Sequence, residues 1–288
     1  MNLLINQVRK KPDFRHAIYA GDIFLDTDLK MAEALCAFAR DSITRAFDGE
    51  TDHQALHTKM SVETFVTHVQ RLKAQFTNCQ PVKDMIRQFI LEIGLDPADY
   101  LFDVPRIRVV PNYDYLHAGV SYAYKPHRDT WYGSPECQIN TWMPVYSIEP
   151  EQTMMINPAY FAVPVKNSSA DWSLAHWINV QRPLATANVT EEVRVHPVPL
   201  EALSTASQLR VAGNSGDMLL FSSAHLHGTV ANHTDKTRFS VDFRLIHIAD
   251  LSAGRGAANV DNRVQEAEAG LSQFFYASDF SQFKGINS

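Results

Sequence analysis

Two histidines and an aspartate stand where they can share one ion. His127-Arg128-Asp129 is followed far along the chain by His227, and 11 residues after that by Arg238, Phe239 and Ser240. Two imidazoles and one carboxylate are the donor set of a mononuclear non-haem iron(II) centre that keeps coordination positions open. Residues two apart on an extended segment share a face, so His127 and Asp129 reach one ion while Arg128 points away. The set holds no thiolate, which disfavours a structural zinc site. Arg238 can pair bidentately with a carboxylate and Ser240 can donate a further hydrogen bond, an arrangement suited to a dicarboxylate.

An HxD triplet is common by chance, so the weight falls on the spacing of the later residues. The chain has 12 histidines. His225 and His227 are two apart and share a face if extended, so spacing alone leaves both open as the third ligand. Gly228 permits close backbone approach beside His227. The gap to Arg238 fits a turn near Asn232-His233-Thr234-Asp235 and a return strand antiparallel to the one before His225. His117, His176, His196 and His233 lack ligand-like companions and read as structural or surface.

The elements that must position these groups change character along the chain. Thr27 and Asp28 offer caps before Met31, Leu35, Phe38 and Ala39, which recur at helical spacing. Ser61 opens a second helix carrying Phe65, Val66, Val69 and Leu72. A third begins near Pro81, carries Met85, Ile86, Phe89, Ile90 and Ile93, and ends at Gly94. After Pro105 the period becomes two, in Arg106–Val110, less cleanly in Cys137–Val145, and in a buried strand Met218–Phe221. Thr237–Ile248 alternates most clearly: Phe239, Val241, Phe243 and Leu245 face one way, Arg238, Ser240, Asp242 and Arg244 the other. Residues 146–215 form a long connection in which Trp172, His176 and Trp177 are candidates to close a pocket, and Asn167-Ser168-Ser169 reads as an exposed loop. The tail, with Phe274, Phe275 and Tyr276, reads as a helix that folds back. The pattern predicts a mainly β protein with flanking helices, a double-stranded β-helix (jelly roll, cupin-like) behind an N-terminal helical layer. No linker divides it, so 1–288 reads as a single domain: helical support about 1–100, jelly-roll core about 101–250, tail 251–288.

With 288 residues, 45% of them hydrophobic, the chain can bury a substantial core. A net charge of −6 and the lack of a basic stripe disfavour nucleic acid as a partner. The three cysteines, Cys36, Cys79 and Cys137, form no CxxC pair and fit a reducing compartment. Neither a signal peptide nor a bilayer-spanning run is present, so the expectation is a cytoplasmic protein without membrane attachment. Oligomeric state is not legible.

The segments Pro126-His127-Arg128-Asp129-Thr130-Trp131, Leu226-His227-Gly228-Thr229-Val230-Ala231-Asn232 and Thr237–Arg244 resemble the phytanoyl-CoA dioxygenase-like branch of the iron(II)/2-oxoglutarate oxygenases. The resemblance covers residues 120–145 and 215–248; elsewhere only the overall plan is similar. It implies Fe(II) held by His127, Asp129 and His227 rather than His225, with Arg238 on the distal carboxylate of 2-oxoglutarate and Ser240 beside it. Gln138, Asn140 and Trp142 share one face of a strand similar to the family's second core strand. They are candidates to support the metal ligands from behind or to touch the co-substrate, with a plain polar ladder as the alternative. Tyr122, Tyr124, Arg128 and Trp131 are candidates for the substrate pocket.

The implied reaction consumes dioxygen (O2) and 2-oxoglutarate, releases succinate and CO2, and oxidises a small molecule, most simply by hydroxylation. Asp129 counts against halogenation, whereas desaturation, ring formation and epimerisation use the same ligands. Two other readings stand beside it. One is a cupin-like metalloenzyme without 2-oxoglutarate, which His225 beside His227 would suit. The other is a non-catalytic jelly-roll binding protein, for which an open iron site would be superfluous.

Overall fold

The computed structural model describes residues 1–181, 183–184, 191–265 and 269–285. The expected connection 146–215 and tail 251–288 therefore include residues outside the described set. In chain order the strands are β1 (Leu3–Ile5), β2 (Ile23–Asp26), β3 (Tyr100–Asp103), β4 (Arg106–Val110), β5 (Ile139–Pro144), β6 (Met154–Ile156), β7 (Leu209–Arg210), β8 (Met218–Ser222), β9 (His227–Thr229), β10 (Arg238–His247) and β11 (Phe274–Tyr276). The main helices are α1 (Phe14–Tyr19), α2 (Lys30–Ala46), α3 (Val62–Phe76) and α4 (Gln80–Glu92).

Eight strands form a major sheet in the order β1-β2-β8-β5-β10-β3-β11, with β4 also paired to the first half of β10. The minor sheet runs β7-β6-β9. From β5 onward the chain crosses from the major sheet to the minor (β6, β7), back (β8), over again (β9) and back (β10). That alternation is the double-stranded β-helix expected from the sequence. Among the described residues no pair of named strands joins the two sheets, so they do not close into a barrel.

Period two decides what each face of the major sheet meets. Ile139 and Met143 of β5, with Phe239, Val241, Phe243 and Leu245 of β10, join one apolar core with α2, α3 and α4. Phe89 of α4 meets Phe243 edge to face at 5.5 Å between ring centres. The other face turns Gln138, Asn140, Trp142, Arg238, Asp242 and Arg244 toward a cavity between the sheets.

Ser61 caps α3, accepting the Thr64 amide at 3.3 Å. Gly94 ends α4 with φ +81°, where Leu95 N–H reaches the Ile90 carbonyl at 3.0 Å, a left-handed closure that suits glycine. The start of α2 departs from expectation. Thr27 bonds Asn6 and Asp28 pairs with Arg9, while Glu92 of α4 accepts the Lys30 and Met31 amides at 2.8 and 2.9 Å. A carboxylate there satisfies two orphan amides and the helix dipole together, so the cap comes from tertiary packing.

Four further expectations need correction. Residues 1–100 are not purely helical, because β1 and β2 extend the major sheet, β2 pairing with β8. The aromatic tail forms the edge strand β11 against β3 rather than a helix; Phe274 and Phe275 alternate sides as strand residues do. β10 is not the antiparallel partner of β8, since both pair antiparallel with β5 and therefore run parallel on either side of it. Asn167 and Ser169 are buried: the Asn167 amide group donates to Val165 and Asp261 carbonyls at 2.9 Å, so the polar run packs against the tail. No helix of the described residues is long and apolar enough to cross a membrane.

Candidate active site

His127 and His227 meet across an isolated antiparallel bridge beside the minor sheet, with reciprocal backbone bonds of 2.8 and 2.9 Å. Arg128 is the last extended residue before a 3-10 turn, Asp129–Tyr132, opens at the aspartate. That change of direction brings Asp129 Oδ1 to 3.4 Å from His127 Nε2 and 3.7 Å from His227 Nε2. The three residues are the one His/Cys/Asp/Glu group among the described residues whose ligand atoms cluster closely enough for an ion.

The tautomers follow from the other ring nitrogens. His127 Nδ1–H donates to the Lys125 carbonyl at 2.7 Å, and His227 Nδ1–H to the His225 carbonyl at 2.9 Å. Both Nε2 lone pairs thus face Asp129 Oδ1, as metal ligands require. Burial, then the nearby His127, pulls His227 down to about 4, keeping it neutral. Burial alone would raise the Asp129 carboxyl. When the imidazoles carry an extra proton, a hydrogen bond from His127 and the fields of His227 and Arg244 overcome that and hold it well below the usual carboxylate range. A neutral His227, an ionised Asp129 and the nearby His127 Nε2 converge, which fits a divalent cation.

Asp129 Oδ2 is occupied separately. Asn140 Nδ2 donates to it at 2.8 Å and Gln138 Nε2 at 3.1 Å, while Gln138 also bonds Asn140 Oδ1 at 2.8 Å. Both amides therefore act on the carboxylate, although their side chains also line the cavity. Trp142, two residues on, lies 5.9 Å beneath the Arg238 guanidinium.

Arg238 and Ser240 sit on the inward face of β10. Arg238 Nη1 donates to the Gln152 carbonyl at 3.2 Å, but buried Arg238 Nε and Ser240 Oγ have no hydrogen-bond partner. Such orphans are costly and are ordinarily satisfied by something bound. Burial, with Arg108 nearby, pushes Arg238 down to about 10, so it stays charged at neutral pH.

His225 is turned out of the site. Its Nδ1 accepts the Ser222 amide at 3.2 Å, and its Nε2–H donates to the Gly21 carbonyl at 3.1 Å. Arg128 and Trp131, expected in the pocket, are not among its lining residues. Both are buried: Arg128 Nε and Trp131 Nε1 donate to Asp261 at 3.1 and 2.7 Å, and Arg128 also reaches the carbonyls of Ala224, Tyr160 and Val163. Arg128 points away from the ion, and its charge is spent on the scaffold. Tyr122 and Tyr124 do line the cavity, as do Trp172 and Trp177, whereas His176 does not.

The sequence did not point to several neighbours. His196 is a buried wall residue rather than a surface one; its ring stacks on Tyr122 at 4.6 Å and its Nδ1 meets Tyr132 Oη at 3.1 Å. Arg108 clasps Asp242 with bonds of 2.5 and 3.0 Å, and Arg244 binds Asp103 at 2.9 Å while lying 3.8 Å from Asp129. Alternation on β4 and β10 carried a signal for Arg108, Asp242 and Arg244. Lys73 and His196 come from a helix and a long connection, where nothing in the pattern marks them.

No protein-family model matches the chain, and no curated protein matches it. Among solved structures, the chain is similar to the non-heme monooxygenase ThoJ in its apo form (14% identity, 73% of this chain and 70% of that one, TM-score 0.43). It is also similar to EvdO2 from Micromonospora carbonacea var. aurantiaca complexed with 2-oxoglutarate (13% identity, TM-score 0.39), spanning 57% of this chain and 59% of that one. A third is the epimerase SnoN in complex with Fe3+, alpha ketoglutarate and nogalamycin RO (12% identity, 83% and 85% covered, TM-score 0.42). These likenesses are distant, and function is argued below from the chain's own residues.

Proposed function

We propose that this chain is an iron(II)- and 2-oxoglutarate-dependent oxygenase of a small molecule, of the phytanoyl-CoA dioxygenase-like branch, and that it hydroxylates its substrate. One observation carries this: a single cavity joins the His127/Asp129/His227 cluster to a buried arginine with an unsatisfied Nε, and the neighbouring Ser240 Oγ on the same strand face is also unsatisfied. A binding protein has no use for that pairing. A site for a chelating dicarboxylate needs both halves.

His127, Asp129 and His227 would hold iron(II), which with 2-oxoglutarate supplies dioxygen activation when bound. The chain's residues do the rest. Gln138 and Asn140 fix Asp129 Oδ2 and leave Oδ1 to the ion. Arg238 and Ser240 take the distal carboxylate, with Trp142 shielding the guanidinium from water. Tyr122, Tyr124 and Tyr132 wall the space near His127 in which a substrate is oriented. Succinate and CO2 leave with the oxidised product. The orientation of His225 speaks against a histidine-rich cupin-type centre.

The test is spectroscopic. Anaerobic protein given iron(II) and 2-oxoglutarate should show the weak visible charge-transfer band of the chelate. The band should vanish in His227→Ala and persist in His225→Gln. In Arg238→Ala it should need roughly ten to a hundred times more 2-oxoglutarate, the worth of a buried charged hydrogen-bond pair. Iron bound without any band in the wild type would end the proposal.

A further inference from the structure

Six cationic side chains line the cavity: Lys73, Arg106, Arg108, Arg194, Arg238 and Arg244. Asp103 serves Arg106 and Arg244, Asp242 serves Arg108, and Glu192 serves Arg194. Lys73 and Arg238 have no acidic partner among the described residues. With Asp129 included, four carboxylates face six cations, leaving an excess of two positive charges. Iron(II) adds two, and 2-oxoglutarate removes two. On the function proposed above, the loaded cavity still carries uncompensated positive charge, and Arg238 is already committed to the co-substrate.

Lys73 is the remaining cation. It reaches in from the last turn of α3, and its Nζ donates to the Val120 carbonyl, leaving two ammonium protons free. The charged groups that act on it are Arg108 of β4, Arg194 of the long connection and Asp242 of β10. Asp242 is already clasped by Arg108. Arg108 and Arg194 keep their own carboxylates, so Lys73 is the one of the three cations left without an anion among the described residues, and a charge in so buried a space is unfavourable until one completes it. Burial, reinforced by Arg108 and Arg194, pulls Lys73 down to about 7, so Lys73 holds its charge weakly unless an anion lies beside it.

The adjoining wall is aromatic. His196 lies nearly parallel to Tyr122, at 10°, with Tyr124 edge-on to both. Tyr132 packs against Trp172 at 5.1 Å. Ring faces and edges of this kind suit a flat body better than a flexible chain. The cavity, of about 290 Å³, has room for a compact molecule.

We infer that the substrate is a flat, largely apolar molecule bearing an acidic oxygen group, a carboxylate or its equal, and that Lys73 binds that group. The inference rests on the oxygenase proposal only for the commitment of Arg238 to 2-oxoglutarate. The probes are 2-naphthoate and its near-isosteric neutral amide, 2-naphthamide, titrated calorimetrically into anaerobic protein loaded with iron(II) and 2-oxoglutarate. Wild type should bind the naphthoate at least about tenfold more tightly. Lys73→Met should erase that preference, and Lys73→Arg should keep it. The wild-type affinity for naphthoate should fall as pH rises past about 7, and that of Lys73→Arg should not, because arginine stays charged.

Equal binding of acid and amide, no binding of either, or a preference that survives Lys73→Met overturns the inference. The charge-transfer band monitors loading in every variant. A missing band refutes the iron and 2-oxoglutarate assignment, while the same titrations on metal-free protein still decide the role of Lys73.

Discussion

Asn140 Nδ2 lies 2.8 Å from Asp129 Oδ2, on the oxygen that faces away from the two histidines. The bond divides the carboxylate into a supported oxygen and a ligand oxygen, and it does so from β5, a central strand of the major sheet. Ligand orientation of this kind is ordinarily worth one to two orders of magnitude in metal affinity. Asn140→Leu keeps the volume and removes the donor. Iron(II) or manganese(II) should then bind about tenfold more weakly in competition with a chelator, with Gln138 limiting the loss. Unchanged affinity would show that Asn140 serves the cavity rather than Asp129.

How far this site could be read from the sequence depended on how local each signal was. His127, Asp129 and His227 come together because two short segments form a bridge; spacing nominated His127 and Asp129 but left His225 and His227 both open, and the family resemblance chose between them. The inward row on β10 followed from strict alternation, which also placed Asp242 and Arg244 beside Arg238. Position was harder to convert into role. Gln138 and Asn140 were expected either behind the metal ligands or on the co-substrate, and they bond Asp129; the strand face alone left the two roles open, because it does not say which oxygen it meets. Arg128 and Trp131 looked like pocket residues by proximity, but the 3-10 turn at Asp129 aims them into the scaffold, toward a tail more than a hundred residues away. The Glu92 cap of α2 and the edge strand β11 were hidden for the same reason: each is created by a partner distant in sequence.

Asp261 is the tail's hold on the ligand loop. Its two oxygens take Arg128 Nε and Trp131 Nε1 on either side of Asp129, and Oδ2 also takes the Val165 amide at 2.9 Å. Arg128 is 1% exposed, so removing the carboxylate strands a buried charge, a change that costs about 3–5 kcal/mol. Asp261→Leu should lower stability by about that amount in urea unfolding of the metal-free protein. Adding Arg128→Met should recover part of the loss, because the double variant leaves no charge unpaired. Additive losses would mean that the pair is not the source of the effect.

Gly228 follows the ligand His227 where two backbones nearly touch. A methyl group there would lie 3.1 Å from the Pro126 nitrogen, the Tyr124 carbonyl oxygen and Met155 Cε. The methionine can yield, but the backbone atoms belong to the segment that delivers His127. Gly228→Ala should therefore spread the two histidines and weaken metal binding, at an overpacking cost of about 1–3 kcal/mol. Gly254→Ala is the control for glycine replacement as such, since no atom lies within 4 Å of its added carbon, although its φ of +60° carries some strain of its own. Metal affinity that is unaffected in Gly228→Ala but reduced in Gly254→Ala would contradict the steric account.

Asp26 closes β2 with both carboxylate oxygens buried and without a well-formed hydrogen bond among the described residues. Burial pushes it up to about 6, against a smaller pull from the Val8 amide. The unfolded chain ionises this group near 4, so between about 4 and 6 the native state binds the extra proton. Stability contributed by the neutral acid is full below about 4 and is lost as pH rises through about 6. Asp26→Asn cannot ionise and escapes that loss. Its stability relative to wild type should therefore improve between pH 4 and pH 8, by up to about 3 kcal/mol, with most of the change below pH 7. Thermal unfolding of both proteins across that range measures it, and a stability difference that does not vary with pH would mean that Asp26 stays ionised where it lies.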